Sequence, residues 1–383
     1  MSEGSEQLTS LVGAADHKGV LNILQTYFNN GDNTKIEAVL KALSEVLNAA
    51  AGKVKAVFLQ LLQEAVFSIS RLELITFQGV YYQIVLSFGK CFMAAGDDKN
   101  AEKSYLQYLS APLNVTKSLS LLDRLTASAG LLSCATRLKS WGNAAFAATR
   151  GVEPHRKLLL SGDDSSAAKG GLAYFLRELA NYHMLRKSFR DASRVLYELY
   201  TLQDEGKVLE QAMLCGALSE VSPQRSAQLA TLRSAANATQ FADLLGVIEK
   251  LYQSQHLTPK EEGVLKKNGT GKGVTEEDVT HAVREHNLYV VSRYYVNISL
   301  ESLSDLLNGT DKTIIVDTLA KMSAQHRLLS KVDEQKGMVY FRTNESVNAM
   351  QEWDSRIESI CNAITFASDV VIRMHPELAS AIV

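Results

Sequence analysis

Hydrophobic residues recur at helical spacing over most of the first 255 positions of the chain. Apolar residues follow three- and four-residue steps within segments of about 10 to 22 residues, a range typical of antiparallel helix pairs joined by short loops. Polar, Gly- or Pro-containing breaks separate the segments, among them Pro112, the segment 151–154 and Pro223. We therefore predict consecutive helices from about Gly19 to Gln255.

Three of these stretches resemble one another. They are FGKCFMAAGDDKNAEKSYL from Phe88, CATRLKSWGNAAFAA from Cys134 and ANYHMLRKSFRDASRVLYEL from Ala180. Each has a helix, a polar turn and then a small residue, at Ala101, Ala144 and Ala192, which are 43 and 48 residues apart. Trp141 and Phe189 precede the last two alanines by three positions and are predicted to fill the groove between helix pairs. The spacing favours a helical solenoid of the tetratricopeptide or HEAT kind over residues 1–256, and an irregular helical bundle is the alternative.

The helical pattern changes between residues 257 and 343. A short helix is predicted to start at Thr258-Pro259, and a glycine-rich stretch at 266–273 follows, so we expect 257–275 to be a flexible loop. Two short apolar stripes, at 300–307 and 314–322, flank the Asn308-Gly309 break. Two strand-like stretches, near 328–332 and 338–342, flank a Lys336-Gly337 turn. Helix, turn, helix and hairpin predict a winged helix over 276–343.

The last segment, 344–383, carries a heptad pattern. Its apolar residues alternate in steps of three and four until Pro376: Met350, Trp353, Ile357, Ile360, Ile364, Ala367, Val371 and Met374. We predict a long C-terminal helix with one narrow apolar seam. That seam packs either on its own chain or in a helical bundle supplied by other chains.

Composition and charge limit the classes of protein to which the chain can belong. The chain has 383 residues, is 46% hydrophobic and 21% charged, and carries a formal net charge of −2. The polar N-terminus MSEGSEQ is unlike a signal peptide, and no apolar run approaches the roughly 20 residues that span a bilayer. We expect a cytoplasmic and nuclear protein without membrane contact. The four cysteines are expected to be buried in a reducing compartment: Cys91, Cys134, Cys215 and Cys361.

A winged helix commonly binds nucleic acid, and the charges argue against that function here. Residues 282–343 hold eight Lys or Arg against seven Asp or Glu. A nucleic-acid reader needs clustered cations to neutralise phosphates. We therefore expect a winged helix that binds protein, with no nucleic-acid partner.

No catalytic pattern is present in the sequence. The GTGKG around Gly271 lacks the earlier glycine and the preceding strand of a phosphate-binding loop. The histidines form no HxH or HExxH motif, and no nucleophile elbow occurs. We predict a protein that is not an enzyme and that has no cofactor, metal or catalytic residues. An undiscovered hydrolase is a disfavoured alternative.

Particular runs of residues resemble the PCI proteins, the scaffold subunits shared by the proteasome lid, the COP9 signalosome and a translation initiation factor. The runs are AVREHNL from Ala282, YVNISLESL from Tyr295, Trp353-Asp354 with IESIC from Ile357, RKSF from Arg186, QRS from Gln224 and LATL from Leu229. The resemblance covers about Leu172 to Thr365 and is closest to a signalosome subunit. It implies a mainly α protein: a helical-repeat arm, a PCI winged helix and a long C-terminal helix.

The resemblance also implies a function. It would make the chain a non-catalytic scaffold subunit of the COP9 signalosome, which removes a ubiquitin-like modifier from cullin-RING ligases. The implied partners are other PCI subunits of a large complex, its metalloprotease-containing pair and the cullin-RING ligase. A scaffold subunit of the 26S proteasome lid is the main alternative, and a nucleic-acid-binding winged-helix protein is a weaker one.

Two sets of residues are predicted to form interfaces. An exposed sheet edge offers unpaired backbone groups to a partner, and the second hairpin strand supplies Val339, Tyr340 and Phe341 at the expected edge. The tail-helix seam is predicted to supply the second set: Met350, Trp353, Ile357, Ile360, Ile364 and Val371.

Overall fold

A computed structural model gives the fold of the chain. It describes residues 3–30, 32–68, 77–112, 115, 119–162, 165–236, 241–269, 273–341, 353, 356–361, 363–365 and 367–368. These residues divide into two compact units. The repeat unit holds Met1–Gln253 and Lys260–Ala282, and the winged-helix unit holds Ser254–Pro259 and Val283–Val383.

The described elements of the repeat unit are helices. They are α1 (Glu3–Gly13), α2 (His17–Asn30), α3 (Asn33–Ala50), α4 (Ala56–Phe67), α5 (Gln78–Ala94), α6 (Asp98–Leu109), α7 (Leu121–Arg137), α8 (Trp141–Ser161), α9 (Ser166–Leu185), α10 (Phe189–Gln203), α11 (Gly206–Leu218), α12 (Pro223–Ala235), α13 (Ala242–Tyr252) and α14 (Pro259–Gly269). Consecutive helices pack on one another, as in α5 on α6, α7 on α8 and α10 on α11. The predicted helical-repeat architecture is confirmed.

The weak sequence repeat has a structural basis in its turns. Helices α5, α7 and α9 each end on a residue with positive φ, at Gly96, Lys139 and Lys187. In each case the next residue donates its N–H to the carbonyl five positions earlier, with N–O distances of 2.8 to 2.9 Å. This six-to-one bond closes the helix end and sends the chain back as an antiparallel neighbour. A fourth copy, at Ala15 between α1 and α2, has the same geometry and was not found from the sequence.

The small residues of the repeat lie where helices meet. Ala101, Ala144 and Ala192 are each fully buried, as predicted. The two aromatic residues differ: Phe189 is buried, whereas Trp141 is 39% exposed, so the prediction that both fill grooves is wrong for Trp141. Both residues open a helix directly after the turn, and packing differences between repeats decide which ring is covered.

The predicted break at 151–154 is absent, because α8 runs through it. A Cβ on Gly151 would collide with the ring of Phe175, so this glycine permits close packing of two helices. Pro154 is buried in the same helix. Burial of this face stabilises α8 despite the backbone hydrogen bond that a proline cannot make.

The expected flexible loop at 257–275 is mostly a helix. Helix α14 occupies Pro259–Gly269. Lys266, the first residue of the glycine-rich stretch, forms an i,i+4 ion pair with Glu262 at 2.8 Å, and Leu265 is buried. Two glutamates in the first turn and two lysines in the last also match the helix dipole. Of the glycine-rich stretch, residues 270–272 lie outside the described part of the chain.

The winged-helix unit follows α15 (Glu276–Tyr294), which contributes residues to both units. Its elements are β1 (Asn297–Ser299), α16 (Leu300–Leu306), α17 (Lys312–Ala324), β2 (Ser330–Asp333) and β3 (Met338–Phe341). The predicted break is confirmed, because Asn308 and Gly309 both have positive φ. The Asp311 side chain caps the helix that follows by accepting from Thr313 N–H. The winged helix is thereby confirmed, with one strand, β1, more than predicted.

The three strands form an antiparallel sheet in the order β1-β3-β2. Val339 pairs with Ile298 of β1 on one side and with Val332 of β2 on the other. One face of the sheet covers the apolar sides of α15, α16 and α17. The buried cluster comprises Leu288, Val291, Ile298, Leu300, Leu303, Leu307, Ile315, Leu319, Met322, Leu328, Val339 and Phe341.

Candidate interaction surfaces

The structure contradicts the prediction that Val339, Tyr340 and Phe341 form an exposed sheet edge. Strand β3 is the central strand, because the unpredicted β1 pairs with its free side. Val339 is fully buried and Phe341 is 3% exposed, both in the core of the unit. Tyr340 lies on the opposite face and is half-buried. Among the described strands, the sheet edges are instead β1 and β2.

Edge strand β1 follows a run of exposed large side chains that the sequence reading overlooked. Tyr294 ends α15, and Tyr295 and Val296 connect it to β1. Tyr294 and Val296 are 73% and 67% exposed. The carbonyl of Val296 accepts from Phe341 N–H at 2.8 Å, which fixes this run beside the sheet. Apolar side chains next to a free strand edge suit a protein partner that adds a strand or packs a helix. The consecutive Tyr-Tyr-Val at the end of a predicted helix is the sequence feature that could have indicated this surface.

Three consecutive buried residues of α15 bind neighbouring segments of the winged-helix unit. The Asn287 amide accepts from Leu257 N–H at 2.9 Å and donates to the Leu257 carbonyl at 3.0 Å. Nε2 of His286 lies 2.8 Å from the Gln255 carbonyl oxygen, to which it donates. Segment 254–259 is thereby held against α15. This arrangement gives the EHN run a structural role.

The first residue of the run, Glu285, forms a two-bond ion pair with Arg327 at 2.6 and 2.8 Å. The Glu285 side chain is 6% exposed and that of Arg327 is 11% exposed. Arg327 also donates to Gln325, so its guanidinium has several partners. A fixed and well-satisfied pair of this kind positions the loop after α17 on α15.

The heptad seam of the tail is exposed wherever the structure describes it. Residues 353, 356–361, 363–365 and 367–368 are helical. The four described large residues of the seam, Trp353, Ile357, Ile360 and Ile364, are between 52% and 65% exposed. Met350 and Val371, the other two predicted seam residues, lie outside the described residues. Four large side chains at steps of three and four, all on described helical residues, are therefore apolar and open to solvent.

The cysteines are of two kinds. Cys91, Cys134 and Cys215 are buried, as predicted, and Cys361 is exposed, which corrects the prediction for that residue. Burial raises the pKa of Cys91 to about 11 and that of Cys134 to about 12, so these thiols are held in the unreactive protonated form. Cys361 lies beside the seam, four residues after Ile357, and is a natural reporter for its burial.

Among the described residues, no group of three or more His, Cys, Asp or Glu side chains is placed to hold a metal ion. Within that same part of the chain, no helix is both long and apolar enough to cross a bilayer. The most perturbed pKa values belong to core residues such as Tyr105, and burial is their first cause. These shifts therefore reflect packing.

The winged helix matches a known domain model. Residues 249–343 match the PCI domain, which covers β1 to β3 and the helices before them. The chain also resembles curated proteins named COP9 signalosome complex subunit 4. It is 28% identical to that of Caenorhabditis elegans over 203 residues, which are 51% of this chain and 48% of the relative. It is 28% identical to that of Emericella nidulans over 222 residues, 53% and 54% of the two chains. The chain spans about half the length of the curated relatives it matches.

Proposed function

We propose that this PCI-domain chain is a non-catalytic scaffold subunit that enters a large complex through its tail helix. The exposed seam is the observation that supports this function. Burying a large apolar side chain stabilises by about 1.5–3 kcal/mol, so four exposed side chains represent a considerable unused driving force for association. Their three- and four-residue steps suit knobs-into-holes packing against another helix.

A second contact is proposed at the winged helix. The edge strand β1 and the exposed Tyr294 and Val296 replace the residues of β3 that the sequence suggested. Tyrosine anchors next to an open edge suit another PCI subunit, whose strand or helix would use the free backbone groups. Tail and edge then contact different partners or different parts of one.

We assign this complex to the COP9 signalosome, because the curated relatives carry that name. In this assignment the chain supports removal of the ubiquitin-like modifier from cullin-RING ligases, and the chemistry belongs to a metalloprotease-containing pair elsewhere in the complex. The repeat unit would contact the cullin-RING ligase, and the protein would be present in the cytoplasm and nucleus. The proteasome-lid alternative is tested by co-purification with cullins or with proteasome ATPases.

The tail is tested by Ile357→Asp/Ile364→Asp, expressed in place of the native chain. We expect this variant to leave the assembly and migrate as free subunit in size-exclusion chromatography, because buried carboxylates in a helical seam are strongly unfavourable. The matched control is Ser359→Asp/Thr365→Asp, which adds the same charge on the outer face of the same helix. Retention of the seam variant in the assembly, or release of both variants, would contradict the proposal.

Cys361 gives an independent measurement without mutation. In the free subunit its exposed thiol should react with an alkylating reagent, whereas the buried Cys91 and Cys134 should not. In the purified assembly we expect Cys361 to be protected. Equal alkylation rates in the two states would show that the seam stays open.

A further inference from the structure

The repeat unit has a groove that takes no part in the tail and β1 contacts proposed above. It lies between α10 and α12 and has a volume of about 540 Å³. Helix α10 contributes Arg190, Arg194 and Tyr197 at positions i, i+4 and i+7. Helix α12 contributes Gln224, Gln228 and Thr231 with the same spacing. Two helix faces in the same pattern therefore line a groove. Its exposed lining is more apolar than polar, with guanidinium and amide groups along the two helices and Leu232 in the floor.

The charge of the groove is positive. Its one carboxylate, Asp191, lies 3.9 Å from the nearest nitrogen of Arg190, the limit of an ion pair, and both side chains are well exposed. Arg194 is exposed and makes no ion pair with any residue that the structure describes. A second cavity of about 300 Å³ shares Arg190 and Asp191 and adds Arg186 and Lys187. The two cavities together hold four cations and two carboxylates. One of the cations, Lys187, is paired with Asp278 outside the cavities at 2.6 Å, so three cations remain against the two carboxylates.

The positions of the polar groups fit an extended peptide. Arg190 and Arg194 are one helical turn apart, about 6 Å along the axis at 1.5 Å per residue. Alternate side chains of an extended strand are about 6.8 Å apart on one face, so carboxylates at every second residue match the two guanidinium groups. Across the groove, Gln224 and Gln228 present amides that can donate to and accept from a peptide backbone. Gln228 already donates to the Arg190 carbonyl at 3.3 Å, which holds α12 beside the start of α10.

We propose that this groove, on Arg190, Arg194 and the glutamine face of α12, binds an extended acidic segment of a partner protein. Guanidinium groups bind carboxylates in pairs of hydrogen bonds, which gives orientation as well as attraction. Nucleic acid fits less well, because the groove itself holds only two cations, Arg190 and Arg194, with the Asp191 carboxylate beside them, whereas a nucleic-acid reader needs many clustered cations. The site is separate from the tail seam, so it does not depend on the assembly proposed above.

The test uses the full-length protein and a fluorescein-labelled peptide in which Glu alternates with Thr, with an otherwise identical Gln-Thr peptide as the neutral probe. Fluorescence anisotropy should show binding of the Glu peptide only, and the affinity should fall as salt is raised. Reversing both groove charges in Arg190→Glu/Arg194→Glu should weaken binding about tenfold or more, equivalent to about 1.4 kcal/mol or more. Thr231→Glu, which adds a carboxylate from the opposite helix, should weaken it in the same direction.

The matched control is Lys103→Glu/Arg156→Glu, which changes net charge equally at exposed positions of α6 and α8 outside the groove. This variant should bind the Glu peptide nearly as well as the native chain. Equal weakening by the groove and control variants would overturn the proposal, as would equal binding of the Gln peptide. Displacement of the peptide by single-stranded RNA at much lower concentration than by unlabelled Glu peptide would also overturn it in favour of a nucleic-acid groove.

Discussion

Strand β3 and the tail seam carry equally regular apolar patterns, and the fold treats them in opposite ways. Val339 and Phe341 alternate along β3 and are buried between two neighbouring strands and three helices. Ile357 and Ile364 repeat along the tail helix and are more than half exposed. Apolar periodicity therefore indicates a face that is stabilised by burial. Only the tertiary structure tells whether the same chain buries that face or leaves it exposed for a partner.

The largest expected effect comes from Phe341→Ala. Truncation of a fully packed aromatic ring costs about 3–5 kcal/mol of unfolding free energy, because a cavity is left in the core. Urea unfolding of the isolated chain, followed by circular dichroism, measures this loss. The control is Tyr340→Ala on the same strand, whose half-buried ring faces away from the core and should cost far less. Equal losses of unfolding free energy in the two variants would contradict the burial of Phe341 in the core. The contrast between β3 and the tail would then not hold.

A smaller effect is expected for Glu285→Gln, which tests what fastens the winged-helix unit. The variant leaves the Arg327 guanidinium almost buried without its anionic partner, and loss of one member of such a pair costs about 3 kcal/mol. Hydrogen exchange of β2 and β3 should increase with it.

The double variant Glu285→Met/Arg327→Leu separates charge from packing. Replacement of a buried pair by apolar residues is often nearly neutral, so this variant should recover most of the stability. A double variant as unstable as Glu285→Gln would mean that the pair supplies more than charge compensation.

Much of the winged helix was predictable because its signals are local. Asn308-Gly309 and Gly337 adopt the positive φ that their residue types allow, and Asp311 caps the helix that follows it. Strand β1 was not predictable, since only three residues form it and its one buried residue, Ile298, gives no alternating pattern. Missing this single short strand moved β3 from the centre of the sheet to its edge and misplaced the interface.

The repeat unit also has features that local sequence patterns do not predict. Its four shared turns need positive φ, but only Gly96 is a glycine, and Ala15, Lys139 and Lys187 hide the common geometry. Helices were predictable from periodicity, whereas continuity of α8 through Pro154 depends on tertiary packing. The groove between α10 and α12 needs two helices that are adjacent only in the fold, so no pattern within either one predicts it.

The smallest effect is expected for Ile357→Ala in the isolated chain, which tests whether the tail seam is exposed. An exposed isoleucine loses little when truncated, and alanine has a higher helix propensity by a few tenths of a kcal/mol. The unfolding free energy of the free subunit should therefore stay unchanged within about 0.5 kcal/mol, the usual range for surface substitutions. In the assembly the same change should weaken association, because it removes buried apolar area there. A loss of more than about 1 kcal/mol in the free subunit would show instead that the seam packs on its own chain. The tail would then resemble β3, and its exposure would no longer support a partner.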